Sequence, residues 1–141
     1  MAEPDITVDK DAEENGLGNM VAELLRANVA TSSYKGRVFS RMKGSVGLDA
    51  TDAEVKVTLV FDRGRCVVHD GLLEGTAVTV SADSDSIIEL SNVRLVGGLP
   101  FYFDRAGRAV VAKALRGVIR IRGLLRHPAT LTRLGIVLSV N

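Results

Sequence analysis

Residues 75–90, GTAVTVSADSDSIIEL, change hydrophobic period within a few positions, and this change constrains the fold more than any other stretch of the chain. Thr76, Val78 and Val80 alternate with Ala77, Thr79 and Ser81, the period of two that a half-buried strand requires, and the β-branched residues suit a pleated surface. Asp83 or Ser84 then offers a side-chain oxygen to the free N–H groups of a following turn. Asp85 adds negative charge at the positive end of that turn, and Ile87, Ile88 and Leu90 supply an apolar stripe. A strand running directly into a short helix is the expectation.

The rest of the chain fits an α+β order. Leu17, Met20, Val21, Leu24 and Leu25 fall at i, i+3, i+4, i+7 and i+8, one stripe of an amphipathic helix over Leu17 to Val29. Between Gly36 and Leu48, Val38, Met42, Val46 and Leu48 oppose Arg37, Phe39, Arg41, Lys43 and Ser45, which predicts a strand with one wet face. Asp49 to Glu54 reads as a turn. Val55, Val57, Leu59 and Phe61 then alternate with Lys56, Thr58 and Val60, Asp62-Arg63-Gly64 supplies a hairpin turn, and Cys66 and Val68 continue in the returning strand. With the strand before Asp83, these form an expected four-strand meander.

From Ser91 to Tyr102 the pattern breaks at Gly97-Gly98 and Pro100, and Phe101-Tyr102-Phe103 holds half of the chain's aromatic residues. An apolar loop of this kind is either a lid over a pocket or a loop whose side chains enter the core. Phe103 to Leu115 predicts a basic amphipathic helix, either a solvated face or a helix that approaches anionic lipid. Val118 to Arg122 returns to period two. Pro128 suits a first helical position, and Leu131, Leu134, Gly135 and Leu138 carry the stripe of a terminal helix that is apolar on nearly all sides.

The totals narrow the function classes. A chain of 141 residues is expected to be mostly one domain, burying roughly 70% of its unfolded surface. It is 46% hydrophobic but only 4% aromatic, so its interior is aliphatic. The lone Cys66 excludes an internal disulfide, and His69 and His127 do not form a metal-site spacing, so neither metal nor cofactor is expected. The leader MAEPDITVDKDAEENG lacks the features of a signal peptide, and no apolar run reaches the ~20 residues that span a bilayer. A cytoplasmic protein is expected, with residues 1–15 an acidic disordered tail and 16–141 the domain. Residues 103–133 are basic, but their aromatics sit in an apolar cluster rather than among the cations, so no nucleic-acid partner is expected.

Catalytic constellations are scarce as well. Cys66 is expected to face inward as a small hydrophobe, and His69 and Asp70 point to opposite faces of one strand. His127 reads as a helix-entry residue. There is no Gly-x-Ser-x-Gly elbow, Walker loop, dinucleotide fingerprint or Cys-x-x-Cys pair. Asp83 and Asp85 are explained by capping.

A strand entering ADSD and a short Ile/Leu helix, followed after a gap by Arg116 to Gly123, RGVIRIRG, resembles the sterol carrier protein 2 domain family. The hairpin from Val55 to Asp70 fits it too, so the resemblance covers roughly Val55 to Leu138. It implies an α+β domain with a five-stranded, mostly antiparallel sheet covered on one face by helices and enclosing an apolar tunnel. It further implies non-catalytic binding, and transfer, of a fatty acyl, sterol or isoprenoid lipid. The long 91–115 segment and the absence of a peroxisomal Ser-Lys-Leu type tail favour a stand-alone bacterial-type member.

On predicted faces, the lipid-binding candidates are Met20, Leu24, Leu99, Phe101, Phe103, Leu131, Leu134 and Leu138. Arg105, Arg108 and Arg116 are the candidates for an anionic head group or a peripheral contact with anionic membrane. The alternative is a protein–protein interaction module with a closed core and a docking C-terminal helix, for which a homodimer is the natural partner state. A third reading, a small acyl-group enzyme, would depend on Cys66, His69 or His127.

Overall fold

A computed structural model describes residues 5–91, 95–96, 99–100, 108, 110–113, 116–117, 119–123 and 126–138. The chain opens with strand β1 (Asp5–Val8), a 3-10 turn (Lys10–Ala12), helix α1 (Gly16–Thr31) and helix α2 (Ser33–Arg41). Strands β2 (Lys43–Ala50), β3 (Val55–Asp62), β4 (Arg65–Asp70) and β5 (Val78–Ala82) follow, and β5 leads into helix α3 (Ser84–Ser91). A small hairpin, β6 (Leu95–Val96) and β7 (Leu99–Pro100), precedes strand β8 (Arg120–Arg122) and helix α4 (Pro128–Leu138). Residues 108 and 110–113 are also helical.

The main sheet has six strands in the order β1-β4-β3-β2-β5-β8. Strands β2, β3 and β4 form an antiparallel meander of three strands, where four were expected. Its β3–β4 turn is Arg63-Gly64, both with positive φ (45° and 95°), the conformation of a type I′ hairpin. The sheet is nevertheless mixed, because β1 pairs parallel to β4 and β5 pairs parallel to β2. This corrects the expectation of five mostly antiparallel strands.

Three local reasons account for the difference. Asp5–Val8, expected within a solvated tail, has Ile6 buried in the core, which draws the acidic leader into the sheet as an edge strand. The segment after β4 does not turn back on it but crosses to the far side of β2, so β5 lies outside the meander. The strand expected over Gly36 to Leu48 divides into the end of α2 and β2. Val38 and Met42 are four apart and satisfy a helical as well as an alternating period, while Ser32 caps α2 through its hydroxyl to the Lys35 N–H (3.3 Å) and Phe39 is buried one turn further on.

One face of the sheet is packed by helices. Val46, Leu48, Val57, Leu59, Phe61, Cys66, Val68, Val78 and Val80 are buried in a single core with Val21, Leu25 and Val29 of α1, Phe39 of α2, and Leu134 and Val137 of α4. Helix α1 lies close on β3 and β4 because Gly18 has no side chain: a Cβ there would stand 3.1 Å from Val68 and 3.4 Å from Val57. Asn28 on α1 crosses to α4, donating from its side-chain amide to the Val137 carbonyl at 2.9 Å. Phe39 and Phe61 meet edge to face at 6.1 Å.

Candidate functional site

The opposite face of the sheet is polar, and its strand register assembles a row. His69 on β4, Thr58 on β3, Gly47 on β2, Thr79 on β5 and Arg122 on β8 are successive cross-strand neighbours. The connection after β4 crosses the middle of this row. The Thr58 hydroxyl donates to the Gly71 carbonyl (2.8 Å) and accepts from the Leu73 N–H (2.9 Å). Leu72 lies over Gly47, where a Cβ would come within 2.8 Å of its Cδ2. The two ends of the row differ in charge.

At the β8 end, a concave space of about 730 Å³ opens among Thr76, Ala77, Thr79, Ile121, Arg122, Gly123, Arg126 and His127. Arg122, Arg126 and His127 are exposed, so the groove suits an anionic or hydrogen-bond-accepting group better than an apolar one. Gly123 permits the close approach of β8 to the chain entering β5, since a Cβ there would lie 2.0 Å from the Ala77 carbonyl oxygen.

At the β1 end, His69 meets carboxylates from another part of the chain. Its Nδ1 lies 3.7 Å from Asp9 Oδ2 and 3.8 Å from Asp11 Oδ2. Neighbouring side chains fix this corner: Asn15 caps α1 by accepting from Gly18 N–H (3.0 Å) and donates to Lys56 O (3.0 Å) and Asp70 Oδ1 (2.7 Å). A second polar concavity, about 470 Å³, lies between Asp11, Glu14, Asn15, Lys56 and Asp70.

The gap lined by Met42, Lys43, Phe61, Thr130 and Arg133 is about 10 Å³, room for one water at most. An apolar tunnel is not seen among the described residues. Lys35 on α2 is buried, and burial lowers the pKa of its ammonium group.

Comparison with known structures bears on this architecture. The chain superposes on a structure described as UbiJ-SCP2 ubiquinone synthesis protein with a TM-score of 0.55 and 13% identity, covering 87% of this chain and 90% of that one. It superposes on a sterol carrier protein 2 crystal structure with a TM-score of 0.52 and 16% identity, covering 84% and 91% respectively. This is a sterol carrier protein 2-like fold. No protein-family model matches the sequence, and no curated protein matches it in sequence.

Within this sterol carrier protein-like fold, the residues expected to line a lipid site fall into distinct environments. Leu134 is buried in the core, Leu138 packs against it half-buried, Leu24 is half-buried on α1, and Met20 is exposed. Leu99 lies on β7 and Leu131 on α4. Phe101, Phe103 and Arg105 lie outside the described residues. Arg108 and Arg116 are exposed, as is Val111 between them. Leu134 and Leu138 therefore belong to the packed helical layer, whereas Arg108 and Arg116 are exposed.

The groups weighed for catalysis are dispersed. Cys66 is fully buried, and burial pushes its thiol pKa up to about 12, so it carries essentially no thiolate near neutrality. His127 is at the groove beside β8 and His69 at the acidic corner on β4, toward opposite edges of the sheet. Near α3, the buried Ser86 hydroxyl donates to Asp83 and accepts from Lys113 Nζ (3.0 Å), an arrangement that ties the helical residues 110–113 to α3. The Ser86 hydrogen bond holds the Asp83 carboxyl below its ordinary pKa. Asp52 accepts from both the N–H and the hydroxyl of Ser84 (2.9 Å each), so it caps α3 from the β2–β3 turn and its pKa is also lowered.

Two features escaped the sequence reading. The gathering of Asp9, Asp11 and His69 depends on the parallel β1–β4 pairing across some 60 residues, which no local pattern announces. The groove depends on β8 closing on β5; its signal was Gly123 directly after the Arg-Ile-Arg strand. None of the described helices is long and apolar enough to cross a membrane.

Proposed function

We propose that this protein binds an apolar lipid, of acyl, sterol or isoprenoid type, without chemical turnover, at the helical layer where α4 meets α1 and the β6–β7 hairpin. The observation that carries this reading is α4 itself. Leu134, Ile136 and Val137 are buried on successive sides of the helix, and it contacts α1, α2, α3 and β7 at once. Thr132 and Arg133 give α4 a wet side, while Leu134, Ile136 and Val137 form an apolar side, and the likeness to a sterol carrier protein 2 fold supports reading that apolar side as part of a lipid site. Each 100 Å² of apolar ligand surface removed from water would contribute roughly 2.5 kcal/mol. Aliphatic walls without polar groups would select chain length only loosely.

In this reading Met20, Leu24, Leu99, Phe101, Phe103, Leu131, Leu134 and Leu138 supply the apolar surface. Arg105, Arg108 and Arg116 attract an anionic head group or an anionic membrane. The exposure of Arg108, Val111 and Arg116 supports a peripheral membrane contact, because an apolar side chain among cations suits the lipid interface.

Native mass spectrometry of the purified protein, followed by organic extraction, tests the proposal. The expected result is a lipid of these classes at about one per chain, or uptake of fluorescent fatty acid, reduced by Leu138→Lys and Leu24→Lys while circular dichroism stays unchanged. The tight packing between sheet and α4 favours a second reading, a closed core whose terminal helix docks on another copy. An empty protein that takes up no fatty acid, with a concentration-dependent dimer masking residues 127–141, would support that reading and sink the first.

A further inference from the structure

We propose that Asp9, Asp11 and His69 form a binding site for a divalent transition metal of the zinc(II) class, which fastens strand β1 and its 3-10 turn to the edge of the sheet. The three donor atoms, His69 Nδ1 and one carboxylate oxygen from each aspartate, lie within 4.8 Å of one another. Nδ1 stands 3.7 Å from Asp9 Oδ2 and 3.8 Å from Asp11 Oδ2, too far for hydrogen bonds. Bonds of 2.0–2.1 Å to a tetrahedral ion would set neighbouring donors roughly 3.4 Å apart. The two imidazole–carboxylate spacings are therefore a few tenths of an ångström wider than a metal would impose, and the carboxylate–carboxylate spacing lies within 4.8 Å, distances that side-chain torsions can close.

The supporting backbone is already in place. Asp9 N–H donates to the Val68 carbonyl at 2.9 Å, which carries the β1–β4 ladder one residue beyond Val8. Asp9 opens the 3-10 turn through its carbonyl, accepting from Ala12 N–H at 2.9 Å, while its carboxylate makes no capping bond. Asp11 uses Oδ1 to accept from the Asp70 N–H (3.2 Å), and this leaves Oδ2 turned toward the imidazole. The three side chains are 26–50% exposed, so a hydrated ion can reach them.

The donor set chooses among cations. One imidazole and two carboxylates, with a coordination position left for water, suit zinc(II), cobalt(II) or nickel(II). Calcium and magnesium demand six or more oxygen ligands or a largely hydrated shell, and gain little from imidazole. The ligands come from two places: 9 and 11 follow the edge strand, and 69 belongs to β4. A bound ion would therefore cross-link a short edge strand of four residues to the sheet. It would stabilise the folded state in proportion to its occupancy.

The test uses the full chain without a histidine tag, stripped with chelator and titrated with zinc chloride against a chromophoric competitor. Expected are saturable binding at about one zinc per chain, a cobalt(II) derivative with a visible ligand-field band, and a zinc-dependent rise in thermal midpoint. His69→Ala should abolish all three, and Asp9→Asn should weaken binding by at least about 10-fold. Asp11→Asn keeps the acceptor for the Asp70 N–H and should also weaken zinc binding with the fold intact, whereas His127→Ala and Glu14→Gln should change nothing. Absence of saturable binding at millimolar zinc, binding unaltered in His69→Ala, or equal competition by calcium would overturn the assignment.

Discussion

The two edges of the sheet are held in opposite ways. At the β1 edge, polar side chains add to the four-residue ladder with β4 and the buried Ile6: Arg26 on α1 donates twice to the Ile6 carbonyl (3.2 and 2.9 Å), Asn15 joins α1 to Lys56 and Asp70, and Asp11 reaches the Asp70 N–H. At the β8 edge the attachment is backbone proximity, three residues paired to β5 and a glycine pressed against Ala77, while the cations remain exposed beside an open groove. An edge strand presents unpaired backbone groups that invite other chains. One edge answers this with directed hydrogen bonds into its own fold, the other with brevity and positive charge. The first edge should fail gradually as contacts are removed one at a time, and the second abruptly when its backbone is pushed apart.

The sharpest way to break the comparison is Gly123→Ala. The new Cβ would lie 2.0 Å from the Ala77 carbonyl oxygen, and the residue has φ of 84°. Overpacking against backbone and a left-handed conformation each cost of order 1–3 kcal/mol. We expect a loss of about 2–4 kcal/mol in urea unfolding, limited by the cheaper escape of β8 from the sheet. Amide exchange at 120–122 should rise far more than in β3. In the connection after β4, Gly71→Ala also faces a positive φ (77°) but meets nothing within 4 Å. It should cost only about 1 kcal/mol. Equal costs at the two glycines would show that backbone conformation, not proximity, governs the β8 edge.

A smaller effect is expected from Arg26→Ala. Hydrogen bonds from a charged donor contribute roughly 1.5–3 kcal/mol when dry, and the Arg26 side chain is 44% exposed, so about 1 kcal/mol is expected. The loss should be local, with amide exchange accelerated at 5–8 and the remaining strands unaffected. A uniform acceleration throughout the sheet would mean that β1 is not a separable edge but part of the cooperative core.

The sequence revealed what local chemistry decides and concealed what distant pairing decides. Helix α1, the β3–β4 hairpin at Arg63-Gly64, the β5-to-α3 switch at Asp83 and the start of α4 at Pro128 were legible, because periodicity, turn conformation and capping act within a few residues. Helix α2 was concealed because Val38 and Met42 fit two periods. Strand β1 was concealed because Asp5, Asp9 and Asp11 give it the composition of a solvated leader, and only Ile6 and Val8 mark its apolar side. The parallel pairings of β1 with β4 and of β5 with β2 have no local signature, so the row from His69 to Arg122, with the acidic corner and the groove at its ends, was not visible. Of the expected apolar positions, Leu134 and Leu138 were placed in the helical layer by their spacing on α4, while the charge at each sheet edge followed from topology.

The smallest effect tests whether charge as such holds the acidic edge. Arg65 Nε donates to Asp5 Oδ2 at 3.0 Å across the β1–β4 pair, which looks like a fastening equivalent to Arg26. The two side chains are 65% and 47% exposed, however, and an exposed pair gains little from Coulomb attraction while ordering two flexible side chains. Asp5→Asn retains the side-chain oxygen and removes the charge, so the change in stability should stay below about 0.5 kcal/mol and vanish in 0.5–1 M salt, where the screening length falls toward ~3 Å. Arg26 differs because two of its hydrogen bonds go to a backbone carbonyl with no charge to screen, the third pairing with Glu23 inside α1, so most of its contribution to the β1 edge should persist in the same salt. If Asp5→Asn instead matched Arg26→Ala, or if both effects disappeared together in salt, the β1 edge would be held by net charge, and the contrast with the β8 edge would be one of sign alone.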